Sequence, residues 1–249
     1  MRFESKTAVV TGAGRGIGEA YATALAAEGA KVVVAELDRD NGERVAKEIE
    51  QAGGSAMFAE VDVSAEESAQ SCAEATLAAF GRVDILVNNA AIYGDMELNS
   101  LLDVPLDYYK RFMAVNMDGA LIMTRAFREA LVADGGGVIL NQSSTAAYMG
   151  AGYYGIAKLA LNGITQTCAR ELGHAGVRVN AIAPGPTDTE ATRTTVPEGL
   201  MRPILAQMPI SRLGDVDEIV AAALFLVSDE ASFVTGQVFN IDGGQIMKL

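Results

Sequence analysis

Two residues with complementary chemistry, Tyr154 and Lys158, stand four positions apart. On a helix, positions i and i+4 lie on one face about one turn apart, so a lysine ammonium can lie beside the tyrosine ring without blocking its hydroxyl. A free phenol has a pKa of roughly 10, but a nearby cation favours the phenolate. The pair therefore predicts a proton-transferring tyrosine whose pKa the lysine lowers. Alone, the same spacing also fits a half-buried tyrosine and a surface lysine on an amphipathic helix.

A glycine-rich turn joins the first predicted strand to the first predicted helix. Its pattern is Gly12-x-x-x-Gly16-x-Gly18. Such a turn lets the backbone approach a diphosphate closely, and the helix N-terminus offers N–H groups to an anion. At the first β–α junction of an alternating α/β chain, this pattern predicts a dinucleotide site. A turn without a ligand is the alternative.

An acidic residue, Glu36, ends the second predicted strand, 18 residues after Gly18. A carboxylate there accepts hydrogen bonds from ribose hydroxyls and repels a 2′-phosphate, so NAD(H) is the expected cofactor. Two arginines, Arg15 and Arg39, argue in the other direction because a guanidinium can hold that extra phosphate. NADP therefore stays open, as does the possibility that Glu36 is a solvated charge.

The elements that must position these residues alternate along the whole chain. The predicted strands are 7–11, 31–37, 56–61, 85–88, 138–142, 177–183 and 238–241, and the predicted helices are 16–29, 41–52, 66–80, 106–133, 154–172 and 216–226. The strands are continuous apolar runs, as expected when helices cover both faces of a parallel sheet. We expect one α/β domain over residues 1–249, a doubly wound three-layer fold with a mostly parallel seven-stranded central sheet. Residues 187–210 interrupt the alternation with several prolines and form either a substrate lid or a packed helical excursion.

The composition limits the class of protein. The 249 residues are 50% hydrophobic and 20% charged, enough for a sizeable core. A net charge of −13 argues against nucleic acid or an anionic membrane as partner. With one histidine, neither a metal site nor a serine-hydrolase triad is expected. Two cysteines without metal-ligand spacing, apolar runs too short for a bilayer and an N-terminus without a signal-peptide pattern predict a cytoplasmic location.

Together these motifs resemble the short-chain dehydrogenase/reductase family, at the family's ordinary length. The matching segments are the glycine pattern, Asp62-Val63, Asn88-Asn89-Ala90, Asn116, Ser144, the Tyr154–Lys158 pair and Pro184-Gly185 with Thr189. The resemblance implies a Rossmann-type fold and catalytic residues Asn116, Ser144, Tyr154 and Lys158. It implies cofactor-binding residues Gly12, Arg15, Gly16, Ile17, Gly18, Glu36, Asp62, Val63, Asn89, Ala90, Tyr154, Lys158, Pro184, Gly185, Thr187 and Thr189.

The implied reaction is hydride transfer between a nicotinamide and a carbinol carbon. In this scheme Tyr154 exchanges the proton of the alcohol or ketone oxygen, and Ser144 hydrogen-bonds that oxygen. Lys158 lowers the tyrosine's pKa and holds the nicotinamide ribose, while Asn116 keeps a water in place for a proton relay.

The sequence departs from the family pattern at two places. Ala91 stands where the family usually has glycine, which predicts an altered backbone beside the nicotinamide. The gap between Ser144 and Tyr154 is ten residues, a few short for the family, so the intervening loop should be tight. The short gap leaves open whether Ser143 or Ser144 faces the substrate; the family pattern favours Ser144.

The expected substrate is an apolar secondary alcohol or ketone. The candidate pocket residues are mostly apolar or aromatic: Ala91, Ile92, Tyr93, Thr145, Ala146, Tyr148, Tyr153 and residues 187–208. A rival activity is an NADPH-dependent 3-oxoacyl-carrier-protein reductase, although residues 128–134 are not the basic patch that an acidic carrier protein would need. A rival of another class is a catalytically silent nucleotide-binding scaffold. The resemblance also implies a homo-oligomer, a tetramer or dimer.

Overall fold

A computed structural model describes residues 1–94, 96–133 and 135–247, without the side chains of Glu198 and Leu200. Asp134, the last residue of the 128–134 segment, lies outside the described residues. Seven strands form one parallel sheet: β1 (Thr7–Thr11), β2 (Lys31–Glu36), β3 (Ser55–Glu60), β4 (Ile85–Asn88), β5 (Val138–Gln142), β6 (Arg178–Pro184) and β7 (Val238–Ile241). The predicted seven-stranded α/β fold is confirmed.

The helices lie on both faces of this sheet. They are α1 (Gly16–Ala27), α2 (Arg39–Gln51), α3 (Glu66–Phe80), α4 (Leu106–Met113), α5 (Gly119–Ala133), α6 (Gly152–Leu172), α7 (Glu190–Thr195), α8 (Glu198–Gln207) and α9 (Val216–Val227). Val32 and Val34 of β2 face a core with α1, α2 and α9, whereas Val33 faces a core with α3, α5 and α6. Successive strand side chains point to opposite faces, and both faces are buried, which explains the continuous apolar runs.

The strand order predicts where on the sheet a ligand would bind. The order is β3-β2-β1-β4-β5-β6-β7. The chain moves outward from β1 through β2 to β3, then returns to place β4 on the other side of β1. Ligands of such sheets bind at the carboxyl ends of the strands near this reversal. The glycine-rich turn follows β1, and the segment that begins with Asn89 follows β4.

One predicted helix is wrong in its continuity. Residues 106–133 form α4 and α5, separated by a π-helical turn at Ala114–Asp118 that contains Asn116. Such turns insert a residue into the i→i−4 ladder and occur frequently at functional sites. The proline-rich segment forms α7 and α8, and Pro203 lies inside α8. Among the described residues, no helix is long and apolar enough to cross a membrane.

Candidate active site

The glycine-rich turn fits a diphosphate group. Gly12 and Gly16 have φ angles of 62° and 59°, in the region that favours glycine, and a Cβ on Gly16 would meet no atom within 4 Å. A Cβ on Gly18 would lie 2.1 Å from the Gly12 carbonyl oxygen, so the turn closes this tightly only with glycine. Arg15, at the N-cap of α1, makes no side-chain capping bond, so its side chain does not occupy the N–H groups of the first turn, which are the groups that an anion could bind.

Glu36 lies beside this turn. Its Oε2 accepts a hydrogen bond of 2.9 Å from the Gly14 N–H, and its Oε1 accepts one of 2.8 Å from the Leu37 N–H. A Cβ on Gly14 would lie 2.9 Å from the Glu36 Cγ, so this glycine makes room for the carboxylate. Gly14 was not among the predicted site residues, although its place in the turn was the signal that could have identified it.

Arg39 is one of the two arginines that could bind the 2′-phosphate of NADP, and it is paired with carboxylates. Its guanidinium contacts Glu43 at 3.0 Å and Glu60 at 2.5 Å, and it lies 5.4 Å from the centre of the Phe58 ring. Binding a 2′-phosphate would require breaking these contacts or sharing the guanidinium between three anions.

The segment after β4 is tied to the end of β1. The Asn89 side chain donates to the carbonyl oxygens of Thr11 and Gly12, each at 3.0 Å, and the Ala90 N–H donates to the Thr11 hydroxyl at 3.0 Å. Ala91 does not have a positive φ, since Ser5 is the only non-glycine residue with one in the described part of the chain; the expected effect of Ala91 on the backbone beside the nicotinamide stays a prediction.

Asp62 and Val63 follow β3 at the same edge. Asp62 accepts hydrogen bonds from the backbone and side chain of Ser64, at 2.9 and 2.6 Å. Val63 packs against Gly119, where a Cβ would lie 2.8 Å from the valine side chain. Both residues therefore lie along the edge that Glu36 and the glycine-rich turn define.

The two serines after β5 have different partners. The buried Ser143 hydroxyl donates to Oδ1 of Asn162 at 2.6 Å, which commits it to the interior of α6. Ser144 lies at the N-cap of a 3₁₀ turn (Thr145–Tyr148), accepts from the Ala146 N–H at 3.2 Å and is hydrogen-bonded to the Tyr154 phenol. The site therefore contains the second serine of the pair, as the sequence pattern favoured.

A short connection brings α6 against Ser144. The loop turns through Gly150 and Gly152, which both have positive φ. A Cβ on Gly155 would lie 2.7 Å from the Ala146 carbonyl oxygen, so glycine allows the first turn of α6 to touch the 3₁₀ turn. This approach places Tyr154 next to Ser144.

Tyr154 and Lys158 share one face of α6, as predicted. The Lys158 ammonium lies 5.8 Å from the centre of the Tyr154 ring. It is buried and donates to the Gln142 carbonyl oxygen at 2.8 Å, at the end of β5. Gln142 was not identified from the sequence, and a contact through a backbone carbonyl leaves no sequence signal.

The predicted lowering of the tyrosine pKa by Lys158 is wrong for this structure. Burial raises the pKa of Tyr154 strongly, the nearby Tyr93 phenol raises it further, and the hydrogen bond with Ser144 offsets only part of this effect. Burial also lowers the pKa of Lys158 to about 8. Burial penalises the charged form of each group, so it opposes a phenolate–ammonium pair.

Asn116 lies in the π-helical turn, and only the amide nitrogen of its side chain makes a hydrogen bond within the described residues. Its Nδ2 donates to the Phe112 carbonyl oxygen at 3.0 Å, whereas its buried Oδ1 accepts no hydrogen bond from the described residues. A cavity of about 10 Å³ adjoins it, lined also by Thr11, Asn88 and Lys158. A cavity of that size fits a single water molecule.

Segment 184–195 leads from β6 over the site. Thr187 is buried and donates to the Gly185 carbonyl oxygen at 3.0 Å, and Thr189 caps the N-terminus of α7 by accepting from the Thr192 N–H at 3.1 Å. On Gly185, a Cβ would lie 2.8 Å from Asp242 Cα, so glycine lets this turn pack against the C-terminal segment.

Tyr153 is buried in an apolar cluster that also contains Phe112 and packs against Tyr154. Its hydroxyl donates to the Glu97 carbonyl oxygen, its ring meets Phe112 edge-on at 4.7 Å, and burial raises its pKa to about 12. The interpretation of Tyr153 as a residue of the substrate pocket stays a prediction.

The predicted site residues thus gather along one edge, at the carboxyl ends of β1 to β6. Glu36 ends β2 and Tyr154 follows β5, three strand spacings away, or about 14 Å at ordinary spacing. An edge of this length suits an elongated ligand with a reactive group at one end. In the described part of the chain, no group of three or more His, Cys, Asp or Glu side chains is placed to hold a metal ion.

Comparison with known proteins defines the class. Residues 12–245 match the family model described as Enoyl-(Acyl carrier protein) reductase. The chain belongs to the short-chain dehydrogenase/reductase family. It is 55% identical over 246 residues to an uncharacterized oxidoreductase of Mycobacterium tuberculosis (strain H37Rv), covering 99% of each chain.

Two further similarities concern activity. The fold matches a solved 7α-hydroxysteroid dehydrogenase in complex with NADH and 7-oxo glycochenodeoxycholic acid, with a TM-score of 0.92, 35% identity and coverage of 100% of this chain and 97% of the other. The sequence is also 38% identical over 248 residues to a 3-oxoacyl-[acyl-carrier-protein] reductase of Synechocystis, covering 98% of each. The protein is thus an oxidoreductase of this family.

Proposed function

We propose that this protein interconverts an apolar secondary alcohol and a ketone by hydride transfer with NAD(H). One observation carries the proposal. The carboxyl ends of the parallel strands bring together Ser144, Tyr154 and Lys158 beside β5, and they place the glycine-rich turn and Glu36 at β1 and β2. A proton-transfer group and a dinucleotide site on one edge are what alcohol oxidation requires.

The residues of the chain manage the proton and the orientation of the substrate. Tyr154 donates its proton to the ketone oxygen, or accepts the alcohol proton in the reverse direction, and Ser144 hydrogen-bonds that oxygen. Lys158 binds the nicotinamide ribose, and Asn116 holds a water that relays protons through Lys158. The nicotinamide, when bound, supplies the hydride donor or acceptor.

The raised pKa of Tyr154 affects the preferred direction. A phenol that stays protonated at neutral pH is ready to donate, so ketone reduction needs no prior ionisation. Alcohol oxidation needs the phenolate and should accelerate with rising pH.

The preference for NAD(H) rests on Glu36 and Arg39. The Glu36 carboxylate lies against the glycine-rich turn, where it favours ribose hydroxyls over a 2′-phosphate. Arg39 is already paired with two carboxylates. The NADH in the solved structure of the similar hydroxysteroid dehydrogenase agrees with this preference.

The preference for an apolar substrate rests on the residues around Tyr154. Tyr93 and Phe112 have ring centres 5.4 and 6.4 Å from the Tyr154 ring, and Tyr153 and Ile92 belong to the same apolar cluster. Such a wall suits a ring-shaped or branched alcohol. We also propose that residues 187–210 cover the bound substrate.

A spectrophotometric screen tests the proposal. Purified protein is assayed for NADH formation with a panel of cyclic and acyclic secondary alcohols, then with NADP, beside Tyr154→Phe. We expect turnover that is faster with NAD and falls by at least about 10²-fold in the variant. Equal rates for Tyr154→Phe would refute the assigned role, and NADH binding without any turnover would favour a nucleotide-binding scaffold.

Reduction of a 3-oxoacyl carrier protein with NADPH is the second candidate, favoured by the similarity to the Synechocystis enzyme. Charge argues against it. The exposed Arg128 of α5 is followed by the exposed Glu129, Arg125 pairs with Glu66 at 3.4 Å, and the net charge is −13. Acetoacetyl-carrier-protein with NADPH, included in the same screen, separates the two activities.

A homo-oligomer remains our proposal for the assembly. Several large apolar side chains are exposed on α5, α6 and α9: Leu121, Ile156, Leu159 and Phe225. Association would remove such exposed apolar side chains from water, which is favourable. Light scattering of the purified protein tests it, and a monomer at micromolar concentration would contradict it.

A further inference from the structure

The catalytic tyrosine has an aromatic neighbour from a different part of the chain. The rings of Tyr93 and Tyr154 have centres 5.4 Å apart and planes tilted by 39°. Tyr93 lies in the segment between β4 and α4, so this contact joins that segment to α6. Tilted aromatic pairs at this distance are attractive beyond their burial of apolar area.

The other side of Tyr93 is bonded to α7. Its phenol is hydrogen-bonded to the Thr192 hydroxyl, and the Thr195 hydroxyl donates to the carbonyl oxygens of Tyr93 and Gly94 at 3.1 and 2.9 Å. Both threonines are buried. One face of α7 is therefore fixed on the Tyr93 segment by hydrogen bonds from side chains one turn apart.

The N-cap residue of α7, Thr189, is one of the residues predicted to bind the cofactor. The Thr189 hydroxyl, at the N-cap of α7, donates to the Thr192 hydroxyl at 3.0 Å. A continuous path thus runs from Thr189 through Thr192 and the Tyr93 phenol to the Tyr154 ring.

We propose that Tyr93 is a positioning residue that makes proton transfer by Tyr154 depend on the seating of α7. The inference rests on the proposed function. When α7 is seated, Thr192 holds the Tyr93 ring over Tyr154, which fixes the catalytic ring and excludes water from it. When α7 lifts, Tyr93 loses its hydroxyl partner and Tyr154 gains access to solvent.

The electrostatics of the pair agree with this geometry. Burial is the largest cause of the raised pKa of Tyr154, and the Tyr93 phenol adds to it. Removing the Tyr93 ring admits water and removes the second phenol. Both changes should lower the apparent pKa of Tyr154.

Six variants of the full chain separate the contributions. Tyr93→Phe removes the hydrogen bond between Tyr93 and Thr192 and keeps the ring. Thr192→Val removes that bond together with the bond from the Thr189 hydroxyl, the double variant combines both changes, and Thr192→Ser keeps the hydroxyl. Tyr109→Phe makes the same loss of a phenolic oxygen on α4 and serves as the matched control. The readouts are hydrogen exchange of residues 188–196 with and without NADH, and kcat and KM over pH for the most active alcohol of the screen.

We expect Tyr93→Phe and Thr192→Val each to speed exchange of α7 and to lower kcat about three- to tenfold, as loss of one hydrogen bond predicts. The double variant should be no worse than Thr192→Val alone, because in that background the bond that Tyr93→Phe removes is already absent. Thr192→Ser should retain wild-type exchange and kcat. Tyr93→Leu, which also removes the ring, should shift the pH profile of oxidation downward by about one pH unit.

Unchanged exchange of residues 188–196 in Tyr93→Phe and Thr192→Val would overturn the proposal, as would additive effects in the double variant. An equal loss in Tyr109→Phe would show that these losses are not specific to Tyr93 and would also overturn it. Hydrogen exchange needs no turnover, so failure of the proposed function is distinguishable: it would appear as a wild-type protein that is no more active than Tyr154→Phe.

Discussion

The hydroxyl of Ser143 donates to Oδ1 of Asn162 at 2.6 Å, inside the packing of β5 against α6. This bond gives the first serine of the pair a structural partner two turns beyond Tyr154 on α6. The second serine, Ser144, is left to contact the phenol. We therefore expect the two serines, although chemically identical, to differ when each is replaced: one replacement should lower stability and the other should lower activity.

Ser144→Ala should lower kcat by about 10²-fold, because it removes a hydrogen bond to the reacting oxygen, and should leave the free energy of unfolding nearly unchanged. Ser143→Ala is the matched control. It should keep kcat within about twofold but lower the free energy of unfolding by about 1–2 kcal/mol, since Asn162 Oδ1 loses a buried donor. Steady-state kinetics and urea unfolding of both variants measure these effects, and reversed effects would exchange the two assignments.

Glu36→Gln should weaken NAD and relieve the repulsion of NADP. The KM for NAD should rise about tenfold, because charge-assisted hydrogen bonds to the ribose become neutral ones, and the KM for NADP should fall. Glu50→Gln makes the same change at an exposed position of α2 and should leave the KM values for NAD and NADP unchanged. An unaltered NAD-to-NADP ratio in Glu36→Gln would show that this carboxylate does not select the cofactor.

Ketone reduction and alcohol oxidation should respond to pH in opposite ways. Burial raises the pKa of Tyr154, so the protonated phenol that reduction needs persists through neutral pH, and the reduction rate should fall only in the alkaline range. The rate of oxidation should rise with pH in that range. Profiles of kcat/KM from pH 6 to 10 in both directions test this, and a reduction rate that already falls below pH 7 would contradict it.

Lys158→Met should stabilise the fold at neutral pH while abolishing activity. Burial lowers the pKa of Lys158 from 10.5 to about 8, so between these values the unfolded chain binds more protons and stability rises with pH. Below pH 8 the wild type therefore bears the full free-energy cost of burying the charged ammonium of Lys158. Methionine removes the charge, and we expect roughly 3 kcal/mol of added stability at pH 7, a difference that disappears as the pH approaches 10.5.

Denaturant unfolding at fixed protein concentration, at pH 7 and 9.5, measures this difference. The exposed Lys47→Met on α2 is the control and should show no pH-dependent change. A destabilised Lys158→Met at pH 7 would mean that the bond to Gln142 outweighs the burial of the charge.

Much of the fold followed from the chain itself because its patterns are local. The seven apolar runs predicted all seven strands, with boundaries within one or two residues, and glycines marked the turn after β1. The helix predicted at 106–133 failed at Ala114–Asp118, because a π-helical turn depends on the packing of Asn116 and its neighbours, which periodicity does not report. The roles of the predicted site residues stay predictions.

The sequence by itself determined the class of fold, the family, and which residue types could do the chemistry, since those depend on period, spacing and side-chain identity. The tertiary structure decided which serine reaches Tyr154, that burial raises rather than lowers the tyrosine's pKa, and that Thr192 binds a tyrosine on a distant segment. These depend on desolvation and on contacts between residues far apart in the chain, and both arise only when the elements pack.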